Sequence, residues 1–319
     1  MNISDQQVMS NTKKRYTANN RTILKDLVKN KILYLMVLPI ITYFIIFHYL
    51  PMFGVVMAFQ DYKPTLGFLG SKFVGFKHYI SYFCSYSALR TITNTFILNI
   101  YDLIFAFPSP IIFALLLNEL KNKLFKRTVQ TITYIPHFIS MVVVVSMLLD
   151  FFQRDGVVNQ LLSLFIKEPI PFFIRPEWFR PLYIGSGIWQ SFGWISIIYL
   201  AALTNIDQSL YEAAEIDGAG RWRKVINITI PGITPTIVMM FILQMGTMLN
   251  IGPQKILLMY NPAIYSTADV ISTFVYRRGL IFGDYSFSAA IGLFNSVVSF
   301  LMVVLSNKIS RHVTETSLW

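Results

Sequence analysis

Residues 32–59 read ILYLMVLPIITYFIIFHYLPMFGVVMAF, a run without a single Asp, Glu, Lys or Arg. A hydrocarbon core of ~30 Å needs about 20 apolar residues to be crossed by a helix, so this run is long enough to span a bilayer. It follows a polar stretch of 31 residues and leads into no small-residue cleavage site, so it reads as a retained span and not as a secretory signal. Five more apolar runs follow, at 94–117, 131–150, 182–203, 233–250 and 286–306. The fifth is the shortest and contains Pro235. The expected architecture is an all-α integral membrane protein of six transmembrane helices.

The whole chain agrees. Of 319 residues, 54% are hydrophobic, 15% aromatic and 13% charged, with a mean hydropathy of +0.53. Soluble domains carry about 25% charged residues, so this chain has half the charge needed to cover a wet surface. That excludes an ordinary soluble enzyme. The net charge of +11 suits basic loops and anionic lipid headgroups rather than nucleic acid. A single cysteine, Cys84, excludes an internal disulfide framework and a thiolate metal cluster.

Loop charges set the orientation. With both termini in the cytoplasm, the inner segments hold 16 of the 27 Lys and Arg residues. The short segment 118–130 carries Lys121, Lys123, Lys126 and Arg127, and short loops obey the positive-inside rule most strictly. Before the first span, Ile23, Leu24, Leu27 and Val28 alternate with Arg21, Lys25, Lys29 and Lys31, the pattern of a basic amphipathic helix on the inner leaflet. Residues 1–20 are too polar to form a packed element. The outer loops are long. In one of them, residues 156–166 present an apolar face to the interface. Phe172, Phe173, Trp178 and Phe179, among Pro169, Pro171, Pro176 and Pro181, read as an interfacial aromatic belt in a proline-stiffened loop.

One inner loop says more than "membrane". Residues 204–232 read TNIDQSLYEAAEIDGAGRWRKVINITIPG. Ser209 followed by Glu212 fits a capping box, which predicts a short helix starting there. Leu210, Ala213 and Ala214 give it one small, smooth face, and Gly218 and Gly220 stop it. A short basic stretch, Arg221 to Lys224, leads on to Pro231. Such a helix suits docking into a groove on a soluble partner, with Glu212 meeting a basic group at the rim; a plain amphipathic connector has the same pattern.

Glu212-Ala213-Ala214, three residues, Gly218, nine residues, Ile228, one residue, then Ile230-Pro231 resembles the cytoplasmic EAA loop of binding-protein-dependent ABC importer permeases. The only departure is Ile230, where that family usually has Leu. The segments YLPMFGVVMAFQDY (49–62), FALLLNEL (113–120), YIPHFIS (134–140) and DVISTFVYRRGL (269–280) also resemble permeases of polysaccharide importers, within the maltose-type carbohydrate family.

The resemblance implies a type I importer permease fold and a multi-pass place in a bacterial plasma or inner membrane. It also implies a set of partners: a second homologous permease, two ATPase subunits, an extracellular solute-binding protein and an oligosaccharide or polysaccharide fragment. Glu212, Ala213, Ala214 and Gly218 would couple to the ATPases. The chain contains no phosphate-binding Gly-x-x-x-x-Gly-Lys-Ser/Thr loop, so it binds no cofactor itself; ATP and magnesium belong to the partner ATPases, and the chain is not an enzyme.

Sugars are held by aromatic faces and by amide and hydroxyl hydrogen bonds. Trp189, Gln190 and Trp194 in the fourth run, Gln244, Asn250 and Gln254 in or after the fifth, and Tyr276 in the last outer loop are the candidates for the substrate path. Each amide serves equally well in interhelical hydrogen bonding. Arg277 and Arg278, beside Tyr276, suit contact with the binding protein, an acidic sugar or lipid headgroups, and each arginine alone reads as a headgroup contact. Asp102, inside the second run, can pair with a base, line a cavity or reach water. Rival classes have less support. His48, His78, His137 and His312 show no metal-site spacing, and no second half matches the first as inverted-repeat secondary transporters require. Importers of peptides or amino acids share the EAA loop, and only the wider carbohydrate resemblance separates them from this chain.

Overall fold

The computed structural model describes residues 29–249 and 251–314. The tail and most of the basic amphipathic helix expected before Lys29 lie outside the described residues, as does Asn250. The chain divides into two compact units, residues 1–55 and residues 56–319. In the first, Lys31–Phe44 is a helix with no buried side chain, and its apolar residues, such as Ile32 and Met36, are exposed all round. A helix that is apolar on every side is a membrane span.

The second unit supplies the other spans: Tyr86–Asn118, Pro176–Thr204, Arg221–Thr247 and Tyr285–Arg311, together with a broken helix, Lys123–Phe138 and Met141–Leu162, bent by 100°. Counting the bent pair as one span gives six among the described residues. The run expected to be continuous over 131–150 is therefore not straight. Pro136 cannot donate a backbone hydrogen bond, Ile139 and Ser140 adopt extended backbone, and the Ser140 side chain caps a new helix by accepting from the Val143 N–H. The carbonyl freed at the bend is not wasted: Gln190 Nε2 donates to Ile139 O at 2.9 Å.

Proline also shapes the spans locally. Five-residue π-helical turns occupy Ile45–Tyr49, Asp102–Ala106 and Val225–Thr229. Each is followed, one residue further on, by Pro51, Pro108 or Pro231. A proline lacks the N–H that would reach back four residues and its ring crowds that carbonyl; the residue before it instead donates five residues back, as Phe107 does to Asp102 O at 2.9 Å. The widened turns keep the helices continuous through residues that would otherwise break them.

The aromatic belt expected around residues 169–181 is core. Pro176 is the first residue of the fourth span, a position where its missing N–H costs nothing. Phe172 and Phe179 are 3% and 2% exposed, packed with Leu98, Val145 and Ile256. The adjacent helix Val157–Leu162 is pinned by buried Asn159, which donates to the Gln153 and Ile170 carbonyls and accepts from Ile170 N–H. Among the described residues, one antiparallel ribbon, Gln60–Asp61 with Lys72–Phe73, interrupts the helical architecture. Lys77 Nζ lies 2.8 Å from Asp61 beside it and holds that carboxyl below its ordinary value.

The fourth span is the hub, packing on Pro108–Asn118 of the second, on the bent third and on the fifth. At Gly193 the approach to the bent span is closest: a Cβ there would collide with the Thr133 carbonyl oxygen and stand 2.9 Å from Thr133 Cβ. Backbone cannot swing aside as a side-chain tip does. Gly193→Val is expected to cost the ~1–3 kcal/mol of an overpacked core, read as a lower melting temperature of the purified protein; an unchanged melting temperature would mean the two helices part freely.

Candidate coupling loop and transport path

The loop between the fourth and fifth spans contains the helix Gln208–Ile216. Its N-cap is Asp207 and not Ser209: the Asp207 carboxylate accepts from the Ser209 N–H at 2.9 Å, which also holds its carboxyl below the ordinary value. Either residue type can cap, and the ionised acceptor makes the stronger bond. The C-terminal end is a Schellman turn. Gly218 N–H donates to Glu215 O at 3.0 Å and Ala219 N–H to Ala214 O at 2.8 Å, with Gly218 at φ +71°. Gly220, by contrast, has φ −67° and caps the next short helix, Arg221–Lys224, which runs directly into the fifth span.

Two contacts brace this helix against the base of the fifth span. Lys224 Nζ lies 2.7 Å from Glu215 Oε1, holding that carboxyl below its ordinary value, and the Tyr211 and Thr229 hydroxyls meet at 3.0 Å. Glu212 and Ala213 are exposed and Ala214 half-buried. Two large apolar residues that the sequence pattern did not single out flank them: Ile216 is 88% and Trp222 80% exposed. A cleft of about 670 Å³ separates Gln208, Tyr211 and Glu215 from Asn118, Glu119 and Lys121 after the second span.

A second cavity, of about 190 Å³, lies among the spans, and Asp102, Ser109, Gly187, Ser191, Tyr199 and Gln244 belong to its wall. Gln244 Nε2 donates to Asp102 Oδ2 within it. Of the three fates open to Asp102, the structure selects lining a cavity.

Residues 106–314 match the family described as binding-protein-dependent transport system inner membrane component. The chain is 44% identical to Protein LplB of Bacillus subtilis (strain 168), covering 91% of this chain and 92% of that one. It is also 44% identical to the polygalacturonan/rhamnogalacturonan transport system permease protein YteP of the same organism, with 94% of each chain covered. Its structure matches, at TM-score 0.86 and 43% identity, a chain of a bacterial alginate ABC transporter in complex with alginate pentasaccharide-bound periplasmic protein, covering 92% of this chain and 99% of that one. The chain belongs to the binding-protein-dependent permease family. It is a multi-pass membrane subunit with the type I importer permease fold, and such subunits are not themselves enzymes.

Within this permease the expected path residues do not converge on one place. Gln244 alone lines the polar cavity. Trp189 lines a separate, mostly apolar cavity of about 420 Å³ with Met147, Phe151 and Leu182. Gln190 is committed to the bend of the third span. Trp194 stacks on His137 with ring centroids 4.8 Å apart and 4° between planes. Gln254 is exposed on the short helix Pro253–Met259, and Tyr276 is 37% exposed at the end of Ile271–Tyr276. Asn250 lies outside the described residues.

Arg277 is engaged inside the protein, and Arg278 has a carboxylate and a ring beside it. Arg277 Nη2 and Arg90 Nη2 both donate to Asp269 Oδ2, at 2.8 and 2.9 Å, and Asp269 is fully buried. Arg278 lies 3.6 Å from Asp284 and over the Phe287 ring. Asn94 joins the cluster, donating to the Asp269 carbonyl and accepting from Arg180 Nη2 at 2.9 Å. Sequence reasoning missed Asp269 because its partners lie up to 179 positions away. The one available signal was a lone carboxylate in the otherwise uncharged stretch 256–276.

Proposed function

We propose that this permease translocates an oligosaccharide or polysaccharide fragment, handed over by an extracellular solute-binding protein, by alternating access driven by partner ATPases. The observation that carries the coupling is the braced, exposed helix Gln208–Ile216. Glu212 and Ala213 face outward, the half-buried Ala214 permits close approach, and the turn at Gly218 returns the chain to the fifth span. Ile216 and Trp222 add apolar surface of the kind that anchors protein interfaces. The helix rests in a groove of one ATPase, with residues 204–232, both termini and the tails 1–31 and 307–319 on the cytoplasmic side. A second homologous permease completes the pathway, and ATP and magnesium are held by the two ATPases.

The glycan cargo is supported by likeness over more than nine tenths of the chain to a permease named for polygalacturonan/rhamnogalacturonan transport. The Asp102–Gln244 pair offers hydroxyl-binding oxygens in one cavity, and Trp189 an aromatic face in another.

Gentle solubilisation of the tagged chain from its native cell is expected to bring down a second six-helix permease and twice as much ATPase subunit. With the binding protein added, oligosaccharides raise the ATPase rate and peptides do not. Recovery of the chain alone would remove the importer reading, and stimulation by peptides would replace the cargo.

A further inference from the structure

Lys255 is a charged residue that neither the coupling loop nor the core explains. It lies in the helix Pro253–Met259, directly after the fifth span, and is only 6% exposed. Its Nζ donates to the Tyr183 carbonyl at 2.7 Å and sits 4.6 Å from the centroid of the Tyr183 ring. Burying an ammonium is costly unless it is paired. Methionine, of similar length, would fill the same space without that cost. The charge therefore needs a use.

Its position supplies one. A Cβ at Gly187 would stand 3.4 Å from Lys255 Nζ, and Gly187 is part of the wall of the Asp102–Gln244 cavity. With no side chain at 187, the ammonium rests against that wall. Asp102 lines that same cavity. An ammonium has three N–H donors, and among the described residues the Tyr183 carbonyl is the acceptor within hydrogen-bond distance. Asp102 already accepts from Gln244. The cavity thus has a cation behind its wall at Gly187 and hydroxyl-binding oxygens among its lining: Asp102, Ser109, Ser191 and Gln244. A neutral sugar uses only the second set. A sugar carrying a carboxylate uses both, with a charge-assisted bond to the ammonium.

We propose that Lys255 is a specificity-determining residue of the translocation path and that the cargo is a uronate-bearing glycan, whose carboxylate Lys255 receives as the chain passes the Asp102–Gln244 cavity. This rests on the glycan reading above and narrows it. The alginate transporter that this chain resembles imports what is described as an acidic polysaccharide.

The test uses the complete importer with its binding protein, reconstituted in vesicles. The probes are oligogalacturonides and alginate oligosaccharides, each beside its carboxyl-reduced form, in which every carboxylate is a primary alcohol. The wild-type importer is expected to take up the carboxylated forms at least tenfold faster. Lys255→Met should lose that ratio tenfold or more while uptake of the reduced forms changes less than twofold, and Lys255→Arg should retain the ratio. The binding protein is the same in every arm, so its own preference cancels. If Lys255→Met fails to assemble, Lys255→Gln takes its place. Equal losses on both forms would make Lys255 a packing residue and overturn the proposal, as would an unchanged ratio. Wild-type uptake of reduced forms alone overturns the uronate assignment but leaves the glycan reading standing. Uptake of neither form, with peptides stimulating the ATPase, overturns both.

Discussion

Gly218→Val is expected to reduce transport by more than tenfold while leaving the protein inserted at its normal level. The cause is backbone geometry rather than bulk. Gly218 has φ +71°, and a Cβ there would meet nothing within 4 Å. A left-handed residue with a side chain costs about 1–2 kcal/mol, more for a β-branched one. The cheapest escape is to unwind the Schellman turn, which frees Ala219 from Ala214 and shifts the end of the helix carrying Glu212 and Ala213. The turn lies outside the spans, so insertion should not suffer. Asparagine tolerates the left-handed region, so Gly218→Asn should keep most of the activity although its side chain is as large. Uptake and ATPase rate in vesicles, with the inserted amount measured by immunoblot, decide the matter. Normal uptake by the valine variant would remove this loop from the coupling pathway. Equal failure of the asparagine variant would point to a steric contact with the ATPase instead.

The second large effect is on stability. Asp269 is fully buried and accepts from Arg90, Arg277 and Thr273 through its side chain. Its backbone carbonyl takes the Asn94 amide, so the second span, the segment before Ile271–Tyr276 and that helix itself all meet on one residue. Asp269→Ala would leave two mostly buried guanidiniums facing each other without a counter-charge. Breaking a buried pair by removing one partner costs about 3–5 kcal/mol. The expected result is a purified complex that melts several degrees lower and is cleaved faster by protease. Asp269→Asn keeps the volume and an acceptor oxygen for one arginine, and should fall between wild type and alanine. A melting temperature untouched by the alanine change would show that water, not Asp269, solvates Arg90 and Arg277.

The features legible in the sequence were those carried by neighbours along the chain. Uncharged runs marked the spans because a lipid environment penalises charge residue by residue. The helix and turn around Glu212–Gly218 were legible because caps are local, though the choice between Asp207 and Ser209 was not: both can cap, and the backbone geometry at the helix start decided. Proline was misread around Pro176 and Pro181. The same residue that stiffens a loop also opens a helix, and only the packing of Phe172 and Phe179 against Leu98 and Ile256 distinguishes the two.

The sequence by itself determined that this chain is a membrane protein, where most of its spans run, and that one loop carries a glycine-ended helix of the permease type. Only the tertiary structure decided which polar residues share a site. It brought Asp102 to Gln244, assigned Gln190 to the bend of the third span and Trp194 to His137, placed Lys255 beside Gly187, and joined Arg90, Asp269 and Arg277. Helix-forming and membrane-crossing tendencies are sums over adjacent residues, so a linear reading recovers them. A buried charge or amide is stable only with a particular partner, and which partner it meets depends on helix rotation and crossing, which no local pattern encodes.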